Sequence, residues 1–141
     1  MSARNVEVLR RWFEAFNAHG TKALIALHDP GVEFHSVFAA VGGGTYYGHD
    51  GMRSWHEDLQ EAWGADIRLD AEAFFDLGEQ ILVFNVYRAR GQQSGAEVAM
   101  PAAAVTRWRD GLITRVTAYR NREDALRDLG VSEDELERID P

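Results

Sequence analysis

The sequence predicts an α+β fold: a curved antiparallel sheet forming a cone closed by N-terminal helices. Three observations carry that prediction. The stretch from Ala65 to Arg120 reads as a meander of long strands, and Asp110-Gly111 within it is the strongest turn signal in the chain. The residues before it carry amphipathic helical patterns rich in aromatic side chains. Pro101 and its small neighbours Ala99, Ala102, Ala103 and Ala104 interrupt one long strand, where a bulge or an edge would let the sheet curl.

Val6, Leu9, Phe13 and Phe16 recur at helical spacing, with Trp12 at the margin of the stripe and Gly20 as the stop. A second short helix starts at Thr21 and carries Leu24, Ile25 and Leu27 until Asp29-Pro30-Gly31 breaks it. Val32 to Val37 alternates like a strand. Gly42-Gly43-Gly44 follows; it matches no phosphate-loop pattern, so a loop or pocket lip is expected. Asp50 is placed to cap a third helix that runs to about Trp63 and turns Met52, Trp55 and Leu59 inward.

In the first meander strand Ile67, Leu69, Ala71, Ala73, Phe75 and Leu77 share one face at period two. Gln80 to Arg90 is apolar on both faces from Ile81 to Tyr87, so both faces should be covered. A loop from Gly91 to Gly95 leads into Glu97 to Arg109, and Leu112 to Tyr119 closes the meander. Asn121 caps a helix from Arg122 to Leu129, with Gly130 as its stop. The organisation is one domain, residues 1–131, and an acidic tail, residues 132–141, that adds a last turn or frays.

Composition narrows the function classes. The 141 residues suffice for one core, and 45% of them are apolar. A net charge of −8 opposes general nucleic-acid binding. From Asn121 onward three arginines face eight carboxylates, so the tail holds most of that excess. The absence of cysteine excludes disulfides, thiolate metal sites and cysteine nucleophiles and fits a reducing compartment. No apolar run of membrane-spanning length and no signal segment is read, so a cytoplasmic protein is expected. Lys22 is the sole lysine and sits near a helix start, a poor place for a Schiff base. His49 and His56 are about 10 Å apart along a helix axis, too far to share a metal, and neither metal nor cofactor is expected.

The order helix, helix, strand, helix, meander comes with local wording. The fragments are Trp12-Phe13-Glu14-Ala15-Phe16-Asn17-Ala18, Val32-Glu33-Phe34-His35, Tyr47-Gly48-His49-Asp50-Gly51, Arg109-Asp110-Gly111-Leu112-Ile113 and Tyr119-Arg120-Asn121-Arg122-Glu123-Asp124-Ala125-Leu126. Together they resemble the polyketide cyclase (SnoaL)-like branch of the nuclear transport factor 2-like superfamily, over roughly Ser2 to Val131. The resemblance implies the cystatin-like cone, a small-molecule pocket and a homodimer through the outer sheet face. It does not imply one reaction, because the superfamily holds isomerases, cyclases, dehydratases, epoxide hydrolases and binding domains. The steroid isomerases' catalytic tyrosine falls on Trp12, their general base near Ser36 and their second acid near Ala104 or Val105. The limonene-type epoxide hydrolases' Arg-x-Asp pair falls on Asn85-x-Tyr87, and their further aspartate on Ala118. Neither set of groups is present.

His35, Asn85 and Tyr87 remain as catalytic candidates: a group that titrates near neutrality, and two hydrogen-bonding orienters on one strand face. Trp12, Phe16, His35, Trp55, Leu59, Asn85, Tyr87 and Met100 are the expected pocket wall, suited to a hydrophobic or polycyclic molecule. Proton-transfer chemistry of an isomerase, cyclase or lyase is one reading; a non-catalytic binding or dimerisation domain is the other. Arg88, Arg90, Arg107, Arg109 and Arg115 form either a basic patch suited to an anionic ligand or pairs with Glu97 and Asp110 across strands or with a partner subunit.

Overall fold

A computed structural model describes residues 2–36, 44–90 and 95–141. Val37, Gly42 and Gly43 fall in 37–43, and most of the second expected loop in 91–94, outside the described residues. The elements are α1 (Ser2–Asn17), α2 (Thr21–Ile25), β1 (His28–His35), β2 (Thr45–Tyr47), α3 (Gly48–Trp63), β3 (Arg68–Asp76), β4 (Gln80–Arg90), β5 (Glu97–Arg109), β6 (Leu112–Tyr119) and α4 (Arg122–Leu129). A 3-10 turn (Glu133–Glu135) and β7 (Arg138–Ile139) complete them. The strands form one curved sheet in the order β2-β1-β6-β5-β4-β3-β7, antiparallel except for the β1–β6 pair.

The helical stripe of α1 is buried as its spacing requires, and Trp12 joins it. Trp12 stacks on Phe16 with ring centroids 5.6 Å apart and planes 10° from parallel. At the end of α1 the Asn17 amide donates to the Leu69 carbonyl (2.7 Å) and accepts from the Leu69 N–H (2.9 Å). That pair replaces a missing ladder partner and pins α1 over the inner face of β3. Three short differences from expectation follow the backbone. The first strand starts earlier, at His28, with a register irregularity between His28 and Glu33. Tyr46 and Tyr47 belong to the short β2. Asp50 lies inside the first turn of α3, paired with Arg53, and does not cap it.

The expected single apolar face of β3 is broken. The β3–β4 register shifts between Ala71 and Ala73, which leaves Glu72 as the extra residue of a bulge. Ile67, Leu69, Ala71 and Phe74 consequently face the helices, while Ala73 and Phe75 join the outer cluster. Arg138 donates to the carbonyl of Glu72 (2.8 Å), and Arg122 donates to its Oε1 (2.7 Å), so the bulge is held from two sides.

Strand β4 is buried on both faces from Ile81 to Tyr87. Its inner residues meet α1 and α3, and its outer residues Leu82 and Phe84 lie under Ala125 of α4. Asn121 caps α4 by accepting from the Asp124 N–H (2.9 Å), and Gly130 closes it in the left-handed region (φ 70°). The hairpin β5–β6 turns through Asp110 (φ 53°) and Gly111 (φ 78°), the positive pair that a two-residue loop of this type needs.

Pro101 makes no bulge. It pairs in unbroken register with Val86, and its other side is an edge because β6 ends opposite Ala103. The tail neither frays nor merely adds a turn: β7 pairs antiparallel with β3, and Arg10 donates to the Asp140 carbonyl (2.9 Å).

Candidate functional site

Inner-face side chains of the sheet, β1 included, meet α1 and α3 around a cavity of about 30 Å³. Trp12, Phe34, Trp55, Asn85 and Tyr87 stand on its wall, and Thr106 is the remaining polar residue there. All other lining residues are aliphatic or phenyl. Ala104 and Ala118, paired across β5 and β6, give it depth. The small residues of β5 thus serve two ends: Ala104 leaves space, and Ala103 lets α4 pack closely.

The cone is largely filled by its own aromatic side chains. Trp55 lies 4.5 Å from Phe34 and 6.0 Å from Trp12, centroid to centroid. A cavity that admits benzene is about 150 Å³, whereas one water needs roughly 10–15 Å³. The interior at 30 Å³ therefore has room for water and not for a ring unless aromatic side chains move. A larger groove of 580 Å³ between α1 and β3 is open, and charged side chains (Arg10, Glu14, Arg68 and Asp70) rim it.

Four expected pocket residues come together at the cavity: Trp12, Trp55, Asn85 and Tyr87. Phe16 and Leu59 are buried in the layer behind it, and half-buried Met100 packs against the same core. His35 lies elsewhere. Phe34 pairs with Val116 on the cavity side, and strand alternation turns the next residue to the opposite face. There His35 Nδ1 is 3.3 Å from Thr45 Oγ1, and Nε2 is 3.4 Å from Glu33 Oε1.

The polar atoms of the wall divide into satisfied and unsatisfied. Thr106 donates to the Ile81 carbonyl (3.0 Å) and accepts from Trp108 Nε1–H (2.8 Å). Trp12 Nε1–H donates to His28 Nε2 (3.2 Å). Asn85 Oδ1 and Trp55 Nε1–H are buried with no partner in the protein. Burial holds the Tyr87 phenol above its usual pKa, so it is a neutral hydroxyl across the physiological range. The lining contains no carboxylate, imidazole, ammonium or guanidinium.

His28 is not among the candidates the sequence offers, yet it is fully buried against Trp12. Its Nδ1 is 3.0 Å from the Leu24 carbonyl, which can only accept, so Nδ1 carries the proton and Nε2 is free to accept from Trp12. Burial, the largest influence, lowers its pKa to about 4. No sequence signal marked this pairing, because it joins α1 to the start of β1 across a turn. Thr106 and Ala104 were within reach of the sequence: they share parity with Met100, and only the register was missing.

Among the described residues no group of three or more His, Cys, Asp or Glu side chains could hold a metal ion. The basic residues of the meander fall into two groups, Arg88 and Arg90 along one groove with Asp66 and Glu97, and Arg107, Arg109 and Arg115 along another with Asp29, Glu33 and Glu79. Arg88 pairs with Asp70 (2.9 Å) and reaches toward Glu97 (3.9 Å), and Arg109 pairs with Asp29 (3.3 Å). No described helix is long and apolar enough to cross a membrane.

A sheet curved around α1 and α3, with an apolar inner face that carries only Asn85, Tyr87 and Thr106 as polar residues of the cavity wall, is a cone of the nuclear transport factor 2-like class. The SnoaL-like domain family model matches residues 9–116, and the chain belongs to that family. Solved structures agree on the fold. TerC co-crystallised with polyporic acid is 22% identical over 89% of this chain and 97% of its own, with a TM-score of 0.74. An NTF2-like protein of unknown function from Burkholderia pseudomallei is 22% identical over 88% of this chain and 95% of its own, with a TM-score of 0.73. A Mycobacterium tuberculosis protein in complex with estradiol-17β-hemisuccinate is 16% identical over 85% and 95%, with a TM-score of 0.69. No curated protein matches the sequence.

Proposed function

We propose that this chain binds a small hydrophobic molecule inside the cone and does so without acid–base chemistry. The observation that carries the reading is the cavity wall itself: rich in aromatic and aliphatic side chains and free of any group that ionises near neutral pH. General acid–base catalysis needs a titrating side chain within hydrogen-bond reach of the reacting proton. Tyr87 is kept neutral by burial, and His35 faces away. That similar folds have been crystallised with small hydrophobic ligands supports the binding part. A ligand of ring size enters only if aromatic rings of the wall move, since the space at rest is too small. A homodimer through the outer sheet face and a cytoplasmic location belong to the same proposal.

The test is native mass spectrometry of protein purified from its own source, followed by organic extraction. A co-purifying neutral molecule whose removal lowers the melting temperature is the expected result. Bare protein throughout, with no melting shift from any hydrophobic compound, would contradict the proposal.

The second reading is turnover, with Tyr87 as hydrogen-bond donor and Asn85 as orienter of a carbonyl. What favours it is that both side chains stand on the cavity wall, two residues apart on β4. The Tyr87→Phe variant separates the readings: it abolishes turnover under the second and leaves affinity within about tenfold under the first.

A further inference from the structure

We infer that the interior is built for a neutral hydroxyl group: the molecule it takes is an alcohol, phenol or enol, not an acid and not a bare hydrocarbon. This deepens the reading that the cone holds a small molecule and rests on it.

Two elements that line the cavity each leave one buried polar atom unpaired. Trp55, on α3, has an indole N–H with no acceptor, and Asn85, on β4, has a carbonyl oxygen with no donor. Both residues line the same cavity, exposed to solvent by 0% and 4%. Such atoms are costly to bury unsatisfied, and native proteins rarely keep them without a reason. Trp63 Nε1 is unpaired too, but its residue is not on the lining, so it says nothing about an occupant.

The chemistry of the two atoms is complementary. The indole can only donate, and the amide oxygen can only accept. An occupant must therefore bring an acceptor and a donor together. A hydroxyl does both through one oxygen, and a 30 Å³ space suits one oxygen. A ketone or ether answers Trp55 and leaves Asn85 unpaired. A carboxylate does the same and adds a charge where no cation stands on the wall. Of the other polar groups, Thr106 is bonded on both sides and Trp12 is bonded to His28, while Tyr87 carries a hydroxyl that can donate or accept and so does not by itself distinguish these classes.

Three probes on the same six-membered ring test this: cyclohexanol, cyclohexanone and cyclohexanecarboxylate. Each is titrated into the intact protein while the Trp55 indole N–H resonance is followed by NMR, with Trp55 assigned from the Trp55→Phe spectrum. The alcohol is expected to bind about tenfold more tightly than the ketone, and the carboxylate more weakly than either. In Asn85→Leu the alcohol loses its advantage over the ketone. If the wild type binds alcohol and ketone equally, or prefers the carboxylate, the hydroxyl inference is overturned while the binding reading stands. If none of the three binds, the opening of the cone itself fails, and the inference falls with it. The comparison among probes in the wild type needs no variant to fold.

Discussion

The indole N–H of Trp12 donates to Nε2 of His28 over 3.2 Å, and that bond requires His28 to be neutral. Protonation would put a second donor against the indole. Burial already opposes it and sets the pKa at about 4, against 6.5 in the unfolded chain. The folded state therefore refuses a proton that the unfolded state takes up between these values. Stability is unaffected by His28 above pH 6.5 and falls as pH drops toward 4, by about 3 kcal/mol at most. His56 is lowered in the same direction by burial and adds to the slope. Urea midpoints measured from pH 7 to 4 should fall steadily. The His28→Gln variant should start lower and fall less; an unchanged slope in it would show that His28 is not the group responsible.

Arg122 ties α4 to the back of the cavity wall. It donates to Glu72 Oε1 (2.7 Å) and to the carbonyl of Asn85 (3.2 Å), and its guanidinium lies 4.8 Å over the ring of Phe84. Arg122→Met keeps much of the stem and removes these contacts together with the Nε–H bond to the Ala102 carbonyl (3.4 Å). The expected loss is about 1–3 kcal/mol in chemical denaturation. A change below about 0.5 kcal/mol would mean that water replaces the guanidinium at no cost.

Removing residues 132–141 should expose the outer edge of β3. Phe74 and Phe75 would lose their ladder partners Ile139 and Arg138, and the bulge at Glu72 would lose one of its two arginine contacts. An uncovered strand edge is a template for association. The truncated protein is expected to melt several degrees lower and to scatter light on storage at concentrations where the full chain stays clear. Equal melting temperatures and clear solutions would show that the tail is dispensable to the sheet.

The meander, its Asp110-Gly111 hairpin and the capped α4 were legible because each is a local signal. A turn needs two positive φ angles, and a cap needs one side-chain acceptor. What the sequence hid is non-local. Glu72 bulges because Arg122 and Arg138, both from the far end of the chain, hold it there. That shift moved Phe74 inward and Phe75 outward, against period-two parity. The site was half legible for the same reason. Trp12, Trp55, Asn85 and Tyr87 declare themselves as aromatic or polar exceptions in apolar patterns. His35 misleads because its face depends on the β1–β6 register, and no local feature reports that parallel pairing.

Parity also gives the sharpest mutational test of the cavity. Ala104 and Ala103 are neighbours on β5, but Ala104 faces the cavity and Ala103 the layer beneath α4. A valine at either position adds two methyl groups to a buried wall. At Ala104 those groups enter the 30 Å³ space, where burial worth about 0.8 kcal/mol per group offsets overpacking strain of about 1–3 kcal/mol. Stability should then change by no more than about 2 kcal/mol, while the affinity for any occupant of the cone falls by at least about tenfold. At Ala103 the methyl groups meet Phe84, Tyr119 and α4, already closely packed, so stability falls and affinity holds. Calorimetry on the two variants with the same probe reads both effects. Undiminished binding in Ala104→Val would place the occupant outside the cone, whatever its chemistry.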